Sequence, residues 1–538
     1  MEKKELITMN NTIITYAEAT NHLSLQDKIG QLFMPAAFIN DSELEIQRLE
    51  NLIKSHRIGG ICFFHSRASA ATNYEGKKKV VYNTHSFKQL QKLIARYQRL
   101  SKYPLLISID AEWGLAMRVE DTPQYPYPLT LGATNDTGIV FKVGQKIAED
   151  CKVAGIHWNF APVGDINNNS ENPVIGYRSF GSDKNMVAAN AISFSKGMQS
   201  VGILSCVKHF PGHGDTATDS HLGLPVINKT KEELFRNEFV PFQELIRNGV
   251  DSVMVGHLSV PNITAGKQTS ASISKEIIKG VLRSELGFNG VVVSDALNMH
   301  SVSKLFDTKG TLEWLAFDAG NDVLCFAEHV PEGITTIAEK ASADQVEASF
   351  ERVWKLKEKA INQKAVKPAD LSNPLPINNE VAIKSLTLYK GDEAIITAFR
   401  KQHFVGVSVA NKTSSIFLER ISNATNMGYW SVTASNLKNL REELKDVTNI
   451  LLAIDPPSMK PKDHFSLQAD ILSFIKEIIE NKNVLIYLFG NPYFLKLLPL
   501  NKTAGVVIAY QNFSIFQENA ADHFLGETNA QGTLPVTI

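Results

Sequence analysis

The stretch GVVVSDALNMHSV, residues 290–302, opens on an apolar, β-branched run from Gly290 and closes it with an acid, Asp295. A run of that length with no polar alternation reads as a strand buried on both faces. Seven more runs of the same kind lie on either side: Gly30 to Ala37, Gly59 to Phe64, Pro104 to Asp110, Ile156 to Pro162, Ile203 to His209, Ser252 to His257 and Asp322 to Ala327. Between them stand stretches with helical periodicity, among them DSELEIQRLENLIKSH, SFKQLQKLIARYQRL, DTGIVFKVGQKIAEDCKVAG and KEELFRNEFVPFQELIRNG. Thr230, followed three residues later by Glu233, supplies a capping box for the last of these. Strands and helices in this alternation fit either a closed parallel barrel or a doubly wound open sheet. The polar residues favour the barrel: Asp110, Lys208, His209, His257 and Asp295 all fall at or just after a strand's C-terminal end, the active-site face of a (β/α)8 barrel of the TIM type.

The helical run DQVEASFERVWKLKEKA ends the barrel, and NQKAVKPADLSNPLPINN, with three prolines and few large apolar groups, reads as a linker. Beyond it the alternation resumes, with strands near Phe404 to Ala410, Asn449 to Ile454, Val484 to Phe489 and Val506 to Tyr510, as expected of an open sheet flanked by helices. The expected organisation is an N-terminal extension over 1–24, a barrel over 25–361, a linker over 362–379 and a smaller α/β sandwich over 380–538.

With 538 residues, 43% of them hydrophobic and 21% charged, the chain has the composition of a soluble globular protein. Its formal net charge of −1 points to neither nucleic acid nor an anionic membrane surface. Cys62, Cys151, Cys206 and Cys325 are widely spaced in apolar runs and read as buried structural residues. No segment is long and apolar enough for a membrane span or a signal region, so the expected compartment is the cytoplasm, or the periplasm or exterior if a leader has been removed. The pattern implies no metal and no cofactor, and leaves the oligomeric state open.

The chemistry concentrates in VKHFPGHGDTATDSHLGLP, residues 207–225, a glycine- and histidine-rich segment that leaves a strand and reads as a loop at the barrel mouth. Asp219 and His221 stand two apart, a spacing that lets the carboxylate orient the imidazole and favour its charged form. Such a histidine can donate a proton to a leaving group and take one back from water. Asp295, at its strand end, projects into the mouth. Glycoside hydrolysis with retention needs a nucleophile and an acid/base, and here the histidine takes the place of the usual second carboxyl. In LLISIDAEWGLAMR, residues 105–118, Asp110 is placed to accept from two sugar hydroxyls and Arg118 to donate. Arg178 closes the long loop NFAPVGDINNNSENPVIGYRSFG as a further donor. Singly, each residue has a plain structural reading: Asp295 as a helix cap, His213 as a satisfied core histidine, and Trp113 as core rather than a stacking face. His257 is balanced between lining the pocket and packing beneath it, and is counted among the candidate sugar ligands.

KHFPGHG followed by four residues and DSH, together with VVVSD, the NFAPV to RSFG stretch, IDAE and MVGHL, resembles glycoside hydrolase family three in its β-N-acetylglucosaminidase branch. The resemblance implies removal of terminal β-linked N-acetylglucosamine from carbohydrate substrates, peptidoglycan-derived muropeptides among them. Asp295 would be nucleophile, His221 acid/base and Asp219 its partner, with Asp110, Arg118, Arg178, Lys208 and His209 holding the sugar. The chain departs from the family's Glu-Gly-Gly-Arg-Val after the strand-end aspartate, reading Glu112, Trp113, Gly114, Leu115 and Ala116, so one arginine is lost. The rivals are a phosphorylase, a β-glucosidase of the same family, and a non-catalytic module that binds cell-wall sugars.

Overall fold

The computed structural model describes residues 13–66, 82–216, 223–362, 368–409 and 415–538. Nine short segments build the barrel: β1 (Phe33–Met34), β2 (Ala36–Phe38), β3 (Gly60–Phe64), β4 (Leu106–Ile109), β5 (Trp158–Asn159), β6 (Leu204–Phe210), β7 (Ser252–Val255), β8 (Val291–Ser294) and β9 (Leu324–Cys325). Pro35 separates β1 from β2, which together form the first of eight staves. All pairings from β2 through to β8 are parallel and follow chain order. Closure comes from β9. It pairs with β1 in parallel, through the Leu324 N–H to Leu32 and the Phe326 N–H to Met34, while Ser294 donates to Val323 at 3.0 Å on the other side. The barrel expected from the strand-end pattern is thus the observed architecture, and its staves are buried on both faces.

The helices obey their local signals. Thr137–Ala154 starts on the Asp136 side chain and stops at Gly155 in the left-handed region, while Lys184–Val201 starts on Asp183 and stops at Gly202. The two cross closely because Gly144 and Gly197 lack side chains; a Cβ there would lie 2.4 Å from the Phe194 carbonyl oxygen or 2.2 Å from that of Phe141. The Thr230–Glu233 capping box forms as read. The single helix expected after it is broken into Lys231–Arg236 and Phe239–Arg247. Pro241 is the cause: it has no N–H to give the carbonyl of Asn237, and its ring crowds that group.

The second sheet runs in the order β10-β15-β14-β13-β11-β12, with β10 (Thr387–Lys390), β11 (Val405–Val409), β12 (Tyr429–Ser431), β13 (Asn449–Ile454), β14 (Asn483–Leu488) and β15 (Gly505–Ile508). All its pairings are parallel except that of β10 with β15. Successive residues of β13 feed opposite cores: Ile450, Leu452 and Ile454 pack on one face, Leu451 and Ala453 on the other. The edge strands β10 and β12 escape sequence reading because they are short and only half-buried. A helix, Leu375–Ser385, already begins within the proline-rich stretch that reads as a linker.

The two units touch directly. Gln511 accepts from the Tyr127 N–H at 2.8 Å, Thr533 donates to Ala133, and Ser182 donates to Pro535. No helix among the described residues is long and apolar enough to cross a membrane.

Candidate active site

The apolar run of β4 ends at Ile109, and the next residue, Asp110, stands where the chain leaves the barrel. Asn159, at the end of β5, pins this exit by accepting from the Ala111 N–H at 2.9 Å and donating to the Ala111 carbonyl at 3.0 Å. Asp110 then receives Lys208 Nζ on Oδ1 at 2.7 Å and Arg118 Nη2 on Oδ2 at 2.9 Å. Lys208, from β6, lies 2.8 Å from Glu112 Oε1, and Glu112 accepts a two-point fork from Arg178 at 2.9 and 2.7 Å. The result is an alternating row, Arg118, Asp110, Lys208, Glu112, Arg178.

Burial by itself would raise the pKa of both carboxyls in this row, and the cations more than offset it. Lys208 and Arg118 hold Asp110 well below the usual carboxylate range, while Arg178 and Lys208 hold Glu112 at about 2. Burial likewise opposes the charge on Lys208, and Asp110 and Glu112 raise its pKa despite that. Asp110, Glu112 and Lys208 therefore stay ionised at neutral pH, with polar atoms fixed before any ligand arrives.

A second cluster backs the first. Asp165, fully buried beyond β5, lies 2.7 Å from His209 Nδ1 and accepts from the backbone N–H groups of His209 and His213. His209 Nε2 lies 3.4 Å from Arg178 Nη2, and a guanidinium can only donate, so the ring proton sits on Nδ1, toward Asp165. His213 bonds Thr216 through Nδ1 at 2.6 Å. Burial, reinforced by neighbouring His209, pushes His213 down to about 4 against the pull of Asp165. Sequence reading missed Asp165; its only signal was an acid soon after a strand end, within the stretch that ends at Arg178.

Asp295 follows β8, its N–H bonded to the Val255 carbonyl at 2.9 Å and its Oδ1 accepting from the Ala296 N–H at 2.8 Å. It faces a cavity of about 310 Å³ whose walls include Asp110, Arg118, Arg178, Lys208 and His209. Five of the residues read from sequence as sugar ligands thus converge on the cavity that Asp295 lines. His257 does not join them. It is fully buried, its Nδ1 2.7 Å from Ser272 Oγ and its Nε2 2.9 Å from the Ala296 carbonyl oxygen. With both ring nitrogens engaged by protein, it supports the backbone beside Asp295, which corrects its expected place among the sugar ligands. Asp219 and His221 lie outside the described residues.

Residues 24–356 match the family model described as the Glycosyl hydrolase family 3 N terminal domain. The chain belongs to glycoside hydrolase family 3. Among its relatives, beta-hexosaminidase A of Pseudoalteromonas piscicida is 30% identical over 379 residues, covering 64% of this chain and 61% of that protein. The chain thus spans about three-fifths of that relative's length. A beta-hexosaminidase of Haemophilus influenzae is 33% identical over 267 residues, 48% of this chain and 70% of that one. A solved family 3 beta-N-acetylglucosaminidase from Paenibacillus sp. str. FPU-7 superposes with a TM-score of 0.77 at 27% identity, covering 96% of this chain and 99% of its own.

Within this family 3 frame, the lost arginine has a structural consequence. Leu115 occupies its place and is fully buried in the barrel core. Trp113, half-buried, both packs and lines the cavity: its ring meets Tyr127 edge-on at 5.0 Å and Tyr177 at 5.9 Å. The wall is therefore aromatic where the motif would place a glycine.

Proposed function

We propose that this chain is a retaining exo-β-N-acetylglucosaminidase, with Asp295 as nucleophile and His221, assisted by Asp219, as acid/base. The observation that carries the reading is the position of Asp295 on the same small cavity as the Asp110–Lys208–Arg118 cluster. A retaining reaction needs a fixed carboxylate beneath the anomeric carbon and anchors that hold the ring over it. Asp110 accepts from sugar hydroxyls while Lys208, Arg118 and Arg178 donate. The modest volume suits one terminal residue, hence exo action. The β-hexosaminidase relatives support N-acetylglucosamine as that residue, and muropeptides from peptidoglycan are the proposed source.

In the first step the Asp295 carboxylate attacks C1, the glycosidic C–O bond breaks, and the leaving oxygen takes a proton from His221. In the second, His221 removes a proton from water, the oxygen attacks C1, and Asp295 is released with the β configuration restored. Asp295→Asn should lower turnover of 4-nitrophenyl N-acetyl-β-glucosaminide by on the order of 10⁴-fold or more. NMR of the first-formed sugar from wild type should give the β anomer. Full activity in the variant, or an α product, would sink the assignment.

A further inference from the structure

Among the described residues lining the cavity, Lys460 alone comes from the second domain. It sits between β13 and β14, on a loop locked both to its own domain and toward the barrel. Ser458 donates its N–H to the Phe465 carbonyl at 3.0 Å, and Lys460 donates its own to Ser458 Oγ at 3.0 Å. Asn491 Nδ2 holds the Met459 carbonyl at 2.9 Å, and its Oδ1 accepts from the Tyr493 N–H at 3.0 Å. The Tyr493 hydroxyl in turn reaches the Asn167 carbonyl at 3.4 Å, in the barrel loop that carries Arg178, and Lys496 reaches Ser170 of the same loop at 2.9 Å. The loop returns through Asp463, His464, Phe465 and Ser466, all with φ between 51° and 61°. Four consecutive non-glycine residues in the left-handed region are unfavourable for L residues and persist only where the surroundings impose them.

The cations on the barrel side of the cavity are already matched: Arg118 and Lys208 face Asp110, and Arg178 faces Glu112. Lys460, half-buried at the cavity wall, has no ion-pair partner among the described residues. Its place is also distinct. The sugar anchors are carried by the barrel and Lys460 by the second domain, on one shared cavity, so on the glycosidase reading a terminal sugar held by the anchors leaves Lys460 to meet the group attached to it.

We propose that Lys460 selects substrates whose leaving group carries a carboxylate, as in an acidic amino sugar, and so makes the second domain part of the specificity site. This rests on the glycosidase reading above, its muropeptide source included, and adds to it the residue and the domain that recognise the leaving group. The test compares kcat/KM for three substrates: N-acetylglucosaminyl-β-1,4-N-acetylmuramic acid, its uncharged analogue di-N-acetylchitobiose, and 4-nitrophenyl N-acetyl-β-glucosaminide. In Lys460→Ala the ratio of acidic to neutral disaccharide should fall about tenfold, the loss of one charge-assisted contact. Lys460→Arg should restore it, and in wild type it should shrink with added salt.

An unchanged ratio overturns the proposal. So does a variant that instead loses an acceleration by inorganic phosphate, since that would assign the lysine to an incoming anion. Wild-type enzyme inert toward the aryl substrate would overturn the glycosidase reading itself, and this inference with it.

Discussion

Both ends of the barrel bury charge, and they use it differently. At the mouth, acidic and basic side chains alternate in a row of ion pairs, and Asp110, Arg118, Arg178 and Lys208 of that row still line a cavity. At the base, Asp322 is fully buried and wholly occupied: it accepts from Arg283 at 2.5 Å, from Arg352 at 2.8 Å, from Ser349 at 2.8 Å and from the Val292 N–H at 2.9 Å. Those bonds tie the closing helix, Ala343–Ile361, to β8. Nearby, Lys357 is buried with the amide of Gln31 and the face of Trp354 as its neighbours, and burial pushes it down to about 7. A buried ionisable group is thus no mark of function by itself. The mark is charge that is compensated and nevertheless open to a ligand-sized space.

The sharpest way to break this contrast is Asp110→Ala at the mouth. Losing a charged acceptor for sugar hydroxyls should reduce kcat/KM on the aryl substrate by on the order of 10³-fold. Near-normal kinetics would remove the site from this end of the barrel. Asp322→Asn at the base should do the reverse, costing about 3–5 kcal/mol of stability in denaturant titration by leaving two arginines uncompensated. Its kcat/KM per folded molecule should match wild type, and a specific kinetic defect would erase the distinction between the ends.

A smaller effect is expected at Lys357. Its folded pKa of about 7 lies below the 10.5 of the free side chain, so between those values the unfolded chain binds more protons and stability rises with pH. The penalty of burial is therefore full below pH 7 and fades toward 10.5. Lys357→Met should stabilise the protein by on the order of 3 kcal/mol at neutral pH, after loss of the Gln31 hydrogen bond, with the gain shrinking as pH rises. A gain independent of pH would show that packing, not charge, sets the effect.

Much of this was legible in the sequence because it is local. Eight apolar runs and the helices between them follow from residue periodicity, and a polar residue ending such a run marks the mouth once the barrel closes. That logic found Asp110, Lys208, His209 and Asp295. It failed at His257, which ends a strand like the others: whether such a side chain points into the cavity or behind it depends on Ser272 and Ala296, contributed by other parts of the chain. It failed again at Asp165, where one carboxylate holds two histidines that no spacing rule connects to it.

The order of strands and helices, and the acid at the end of β8, belong to the sequence alone, because hydrophobic periodicity and strand termination are set by neighbours a few residues apart. The pairing of Glu112 with Arg178 and Lys208, the burial of Leu115 in an arginine's place, and the arrival of Lys460 from another domain were decided only on folding. Each needs groups from distant segments brought within hydrogen-bonding or packing distance, and closing the barrel against the second sheet is what brings them there.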